Sequence, residues 1–261
     1  MKLKYSLLVL PLVLASVACN SKGSNYRITK VEKERIELNS NYDREVPEAT
    51  EFLSPFKKNV DSIMGQVVGT AKKVLEKGRP ESPLSNLLAD IMVNAGPDFG
   101  EKPVMGFYNM GGIRTNSIPG GTVTWGDILS VAPFENKICF LNLTGENLLK
   151  LFENMAKRGG EAVSKGIAIK MNPEGKVLSV TFNGKPIDPK ASYRIATNPY
   201  VAEGNDGLVA LKEKTDYVCP KTSLNGDKND VRFIIRRYFE QSLKNKKPID
   251  ANIEGRIVVV K

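Results

Sequence analysis

Val104-Met105-Gly106-Phe107-Tyr108 runs apolar and uncharged, then breaks into Asn109-Met110-Gly111-Gly112-Ile113-Arg114. A short apolar run that stops at turn residues reads as a buried strand. Its two glycines permit either a close backbone approach or positive φ. Arg114 follows the bare turn with a planar fork of donors, which suits an anionic oxygen. Loops at strand ends are where ligands commonly bind in α/β folds.

The segments on either side of this strand set the fold class. Upstream, Ser82 is a good N-cap and Pro83 suits the first helical position. Leu84, Leu87, Leu88 and Ile91 then follow helical spacing until Gly96-Pro97. Pro47 opens an earlier helix to about Met64, with Phe52, Phe56, Val60 and Ile63 on one stripe. Residues 26–40 alternate weakly (Tyr26, Ile28, Val31, Ile36, Leu38) and predict one or two strands. Downstream, Thr124 caps a short helix to Val131, and a strand covers Lys137 to Leu143. Thr144 caps a helix with Leu148, Leu151, Phe152 and Met155 on one face, ended by Gly159-Gly160. Strands follow at Ile167–Met171, Val177–Phe182 and Tyr193–Thr197. Asp230 caps a last helix, and Arg256 to Val260 closes the chain as a strand. Strands and helices mix without strict βαβ alternation. The expected fold is therefore α/β of α+β character: mixed sheets with flanking helices in a single domain.

Composition narrows the function. The 261 residues contain no histidine, which excludes Ser-His-Asp and Cys-His catalysis and metal sites of the usual imidazole type. Lys2 and Lys4 precede a short apolar stretch, Ser6 to Val17, and small residues lead to Cys19. That is a secretory signal, too short to span a bilayer comfortably. Ala18-Cys19 looks like the lipobox of bacterial lipoproteins, with Ser16 departing from the usual Leu. The resemblance implies a signal peptide over 1–18, lipidation of Cys19, and a polar tether over 19–25. The protein is then lipid-anchored in the cell envelope, facing the periplasm. The net charge of +9 falls to +7 once Lys2 and Lys4 leave with the leader. A basic exported protein suits an anionic ligand or envelope surface. Nucleic acid is not implied, because the basic residues are dispersed and carry no nucleic-acid motif. Cys139 and Cys219 remain. They can pair in an oxidising compartment, or Cys139 can be a buried thiol in its apolar run.

Two further segments offer ligand chemistry: Ala132-Pro133-Phe134-Glu135-Asn136, and Thr197-Asn198-Pro199-Tyr200 through Gly204-Asn205-Asp206-Gly207. In this order, with Glu81-Ser82-Pro83-Leu84-Ser85-Asn86-Leu87-Leu88-Ala89-Asp90, Asn109 to Arg114, Leu143-Thr144-Gly145 and Gly255-Arg256-Ile257, the chain from about Arg79 onward resembles a known domain. It is similar to the C-terminal substrate-binding domain of 5′-nucleotidases and UDP-sugar hydrolases. The resemblance implies a domain over 79–261, preceded by an extension over 26–78 packed on it. It implies that Phe134 and Tyr200 clamp a base, with Tyr where the family usually has Phe. Asn109 and Asn136 match amides near the base and sugar, and Asp206 matches the carboxylate on the ribose hydroxyls. Arg114 and Arg79 match arginines directed at sugar and phosphate. Asn205 replaces a family glycine and is expected to tolerate its positive φ.

In the intact family, metal ions in an N-terminal metallophosphatase domain activate water. Only about 60 mature residues precede the matching region here, and no histidine can hold those metals. The expectation is a nucleotide- or nucleoside-binding half, with no cofactor of its own. Divalent metals would reside in a separate metallophosphatase subunit, and this chain alone would hydrolyse little. The alternative is a non-enzymatic nucleotide-binding or structural lipoprotein of the envelope.

Overall fold

The computed structural model describes residues 27–43 and 45–260. The expected signal peptide, the lipidated Cys19 and the tether lie outside them. The chain divides between Thr50 and Glu51 into two units. In the first, a single 3-10 turn at Ser40–Tyr42 is capped by Asn39, whose side chain accepts from the Asn41 N–H at 3.0 Å. The strands expected over 26–40 are not formed among the described residues of that span. Ile28, Val31, Ile36 and Leu38 stay exposed. Their spacing is not the strict alternation a sheet face rewards, and β-propensity acts only where side chains have a surface to pack on.

In the second unit, the apolar run before Asn109 forms the strand Met105–Tyr108, buried throughout. Period-two geometry sends successive side chains to opposite faces. Met105 and Phe107 join one core cluster and Tyr108 the other. The neighbouring strands repeat the division: Leu141 and Ile195 face the first cluster, Phe140 and Ala196 the second. A sheet apolar on both faces needs cover on both, which gives layers. Its five strands lie in the order Thr215–Val218, Cys139–Thr144, Ser192–Thr197, Met105–Tyr108, Ala162–Val163. Met105–Tyr108 runs parallel to Ser192–Thr197, and the other pairings are antiparallel. A second, four-stranded sheet orders Lys185–Pro186, Val177–Phe182, Ile167–Met171 and Ile257–Val259, again with one parallel pair. Mixed sheets with flanking helices are thus the observed architecture.

The Pro83–Asn94 helix covers one face. Ser82 and Ser85 form a reciprocal capping box at its start. Gly106 lets it approach: a Cβ there would lie 2.4 Å from the Ala89 carbonyl oxygen. The Gly145–Lys157 helix covers the other face with Leu148, Leu151, Phe152 and Met155. Arg256, buried at the closing strand, donates to both Asp90 oxygens at 2.8 and 2.7 Å and to the Val163 carbonyl. That pair ties the C-terminal strand to the Pro83–Asn94 helix.

The Pro47–Met64 helix forms as expected, yet none of its residues is buried. Phe52, Leu53, Phe56, Val60 and Ile63 all remain at the surface.

Cys139 and Cys219 are joined by a disulfide. Cys139 sits in the fully buried part of its strand, and the link holds the following edge strand, Thr215–Val218, against it. Closing a loop of sequence separation 80 removes entropy from the unfolded chain. Cys219→Ser is expected to lower unfolding stability by about 2–4 kcal/mol. Urea unfolding under non-reducing conditions checks it, with the reduced wild type expected to match the variant.

Candidate functional site

Four segments meet at one end of the central sheet. The Met105–Tyr108 strand delivers Asn109 to Arg114. The Ser192–Thr197 strand delivers the loop from Asn198 to Gly207. The turn after the Gly145–Lys157 helix supplies Arg158 and Glu161. The loop after the Trp125–Val131 helix supplies Phe134 to Asn136.

Local sequence fixes each. Thr197 Oγ1 donates to the Phe107 carbonyl at 3.0 Å, locking the two parallel strands at their ends. The Asn198 side chain then caps the short Pro199–Ala202 helix, accepting from the Val201 N–H at 2.9 Å, and this turn presents Tyr200. The loop bends back through positive φ at Gly204, Asp206 and Gly207. Asn205 is not among these positions. Its side-chain amide instead donates to the Tyr200 carbonyl at 3.0 Å. The expectation that Asn205 takes the family glycine's conformation is therefore corrected: the left-handed residue is Asp206, an acidic type that tolerates it better than most. Thr124 caps the Trp125–Val131 helix in a reciprocal box with Asp127. The Arg114 N–H donates to the Val131 carbonyl at 2.9 Å, which brings the Phe134 loop beside the Gly111-Gly112 turn.

Asp206 is a centre of the assembly. Its Oδ2 accepts from Asn109 Nδ2 at 2.8 Å, and its Oδ1 from the Tyr200 hydroxyl at 3.2 Å. Gly111 leaves room for this contact: a Cβ would stand 3.2 Å from Asp206 Oδ2 and crowd it. Gly111 and Gly112 have ordinary φ, so of the two roles open to them they serve close approach. The negative charge of Asp206 holds the Tyr200 hydroxyl above the usual tyrosine pKa, with smaller contributions from desolvation and the hydrogen bond itself.

Beside it lies a second carboxylate that sequence reasoning did not select. Glu161 is 2% exposed. Its Oε1 accepts from Arg79 Nη2 at 2.7 Å and from Arg158 Nε at 2.9 Å, and its Oε2 accepts from the Met110 N–H at 2.6 Å. Arg79 Nη1 also donates to the Arg158 carbonyl at 2.9 Å. Arg158 Nη2 stands 3.7 Å from Asp206 Oδ1. Its hydrogen bond to Glu161, aided by the charges of Glu161 and Asp206, raises its pKa against the opposing effect of desolvation. The signal was present: a carboxylate directly preceding the apolar Ala162-Val163 has to be paired if it is buried.

Arg114 forms the other flank. Its guanidinium carbon lies 5.7 Å from the Phe134 ring centroid, a cation–π contact. Phe134 is 48% exposed and Tyr200 43%, both large for aromatic rings. Neither pairs with another ring among the described residues. Asn109, Asp206, Tyr200 and Arg79 are thus joined through one polar network, and Arg114 and Phe134 through another. Asn136 stands apart from both: its carbonyl accepts from the Val231 N–H at 2.8 Å, holding the loop to the Val231–Lys244 helix. Among the described residues, no three metal-ligating side chains cluster.

Exposed rings, a carboxylate and arginines thus gather at the ends of sheet strands in a mixed α/β domain. Residues 67–213, more than half of the 261, match the family described as 5′-nucleotidase, C-terminal domain. The chain belongs to that family. Protein UshA of Yersinia enterocolitica is 29% identical over 216 residues, which cover 79% of this chain and 36% of that one. A 5′-nucleotidase of Vibrio vulnificus is 28% identical over 238 residues, covering 84% and 40%. The crystal structure of a 5′-nucleotidase precursor from Thermus thermophilus superposes with a TM-score of 0.66 at 30% identity, covering 82% of this chain and 43% of that chain. The chain therefore spans well under half the length of these relatives.

Proposed function

We propose that this domain binds a nucleotide or nucleoside as the substrate-recognition half of a 5′-nucleotidase in nucleotide catabolism, and that a separate metallophosphatase subunit carries the metals and the hydrolysis. The observation that carries the reading is the placement of two half-exposed, unstacked rings beside a networked carboxylate and arginine forks. Phe134 and Tyr200 offer faces to a base. Asp206, oriented by Asn109, offers oxygens to ribose hydroxyls, and Arg114 and Arg79 offer donors toward sugar and phosphate.

Binding to such a surface does not by itself cleave a phosphomonoester, one of the slowest uncatalysed reactions. The Pro47–Met64 helix supports a docked partner. It carries an apolar stripe with no buried residue, and it directly precedes the region matched to a C-terminal domain. We assign that unburied stripe as the surface for the partner. The cell envelope is the proposed location, with the chain anchored through lipidated Cys19.

Isothermal titration of the mature chain tests the binding. AMP and adenosine are both expected to bind, and Phe134→Ala and Tyr200→Ala each to weaken binding by about 1–3 kcal/mol, the range for base stacking. No binding by the folded wild type would leave the structural lipoprotein as the better reading. For the partner, a photo-reactive benzoylphenylalanine in place of Phe56, introduced in the native cell, is expected to cross-link to a metallophosphatase. Cross-links only to a second copy or to lipid, or none at all, sink the docking assignment. In the same cells, Cys19→Ser is expected to move the protein from the membrane to the soluble fraction, and retention in the membrane would refute the anchor.

A further inference from the structure

Arg158 lies outside every motif that pointed to the site, yet its guanidinium is better placed for a ligand than either expected arginine. Arg114 leans on the Phe134 ring and reaches the Gly111 carbonyl only at 3.4 Å. Arg79 has both terminal nitrogens engaged, one by Glu161 and one by the Arg158 carbonyl. Arg158 commits only Nε to a hydrogen bond, with Glu161. Its terminal nitrogens make none among the described residues, and about a third of its side chain remains exposed. Those free donors stand at the edge of the Asp206 carboxylate, 3.7 Å away.

We infer that Arg158 is a third ligand-binding arginine of this site, aimed at an anionic oxygen that lies next to the sugar hydroxyls Asp206 is proposed to hold. The inference rests on the nucleotide-binding reading and sharpens it. The preferred ligand carries a 5′-phosphate, and the nucleoside is bound less well. Three features support it. The first is preorganisation: Glu161 is buried, and the same carboxylate is fixed by Arg79 and by the Met110 N–H, so little side-chain entropy is left to lose when a ligand arrives. The second is charge balance. Arg79 and Arg158 together balance Glu161 and Asp206, so among the named side chains Arg114 leaves the site one net positive charge. A phosphate meets that charge and the unbonded Arg158 terminal nitrogens, whereas a neutral nucleoside leaves them without an anionic partner. The third is geometry: a guanidinium with its fork unspent can meet two oxygens of one phosphate.

A purely positional role for Arg158, as the positive charge that steadies Asp206, separates from this one by ligand. Titrating the folded Arg158→Gln variant with AMP and with adenosine, its melting temperature checked against wild type, is the test. A lost charge-assisted hydrogen bond predicts AMP binding weakened about tenfold or more, with adenosine within roughly twofold of wild type. The AMP affinity of wild type should also fall more steeply with added salt than that of the variant. Arg158→Lys, which keeps the charge but loses the fork, is expected to recover only part of the AMP affinity. An equal loss for AMP and adenosine would show that Arg158 merely positions Asp206, and no loss for AMP would remove it from the site. Either result overturns the inference while leaving nucleotide binding intact, whereas a wild type that binds neither ligand refutes the underlying reading instead.

Discussion

One buried carboxylate holds the ligand face together. Glu161 receives hydrogen bonds from three separate segments: Arg79 ahead of the first core helix, Arg158 at the end of another, and the Met110 N–H at the tip of a central strand. Burying a charge costs several kcal/mol unless it is paired and its lone pairs are used. Here both oxygens are used, so the cost becomes a constraint: the three segments must stay where the carboxylate needs them. Met110 adjoins Asn109, Asn109 orients Asp206, and Asp206 engages Tyr200. The position of the proposed ribose carboxylate and of one proposed stacking ring therefore traces back to Glu161.

The scaffold beneath it follows from alternation in three strands. Because Met105 and Phe107 point one way and Tyr108 the other, this central strand has no wet face. A strand buried on both sides lacks the polar–apolar alternation of a half-exposed one, and this explains why Val104 to Tyr108 reads as a continuous apolar run. The helices that cover the two faces are legible for a different reason. Ser82, Thr124, Thr144 and Asp230 all cap the helices assigned to them, since a cap is a local bond that needs no tertiary partner. What escaped the sequence were pairings set from a distance. The two-residue strands at Leu75–Glu76, Ser117–Ile118 and Ala162–Val163 exist only because a partner strand lies alongside. Over 26–40 the opposite error arose, where weak alternation was read as strand without a surface to pack on.

The site shows the same division. Gly111, Asn109, Arg114 and the Asp206 loop were legible because each lies in a compact motif at a strand end. Their mutual contacts could be anticipated only through resemblance, since Asn109 and Asp206 are 97 residues apart. The disulfide likewise could not be chosen over a free thiol until the edge strand was seen beside Cys139. Glu161 and Arg158 are not legible in the same way, because in sequence Gly159-Gly160 signals only a helix stop. Those glycines do end the helix, but both take positive φ, and the tight reversal is what carries Glu161 back under the Asn109 turn.

On the proposed reading, binding and hydrolysis reside in different polypeptides. Rings, a carboxylate and guanidinium forks recognise features that a nucleotide has both before and during reaction. Interactions equally strong in the ground and transition states give affinity without acceleration. A surface built from them can bind its ligand rigidly and still depend on a second surface to supply groups matched to the transition state. In this chain the proposed recognition groups are hydrogen-bonded to Glu161 and Asp206, whereas the Pro47–Met64 helix keeps its apolar stripe unburied. Rigidity is concentrated where the ligand must be oriented, and unsatisfied apolar surface where the proposed partner has to approach. An apolar stripe left in water gains free energy only when something covers it. On the proposed reading that cover is the catalytic subunit, and the arginine forks are the edge toward which its chemistry has to be brought.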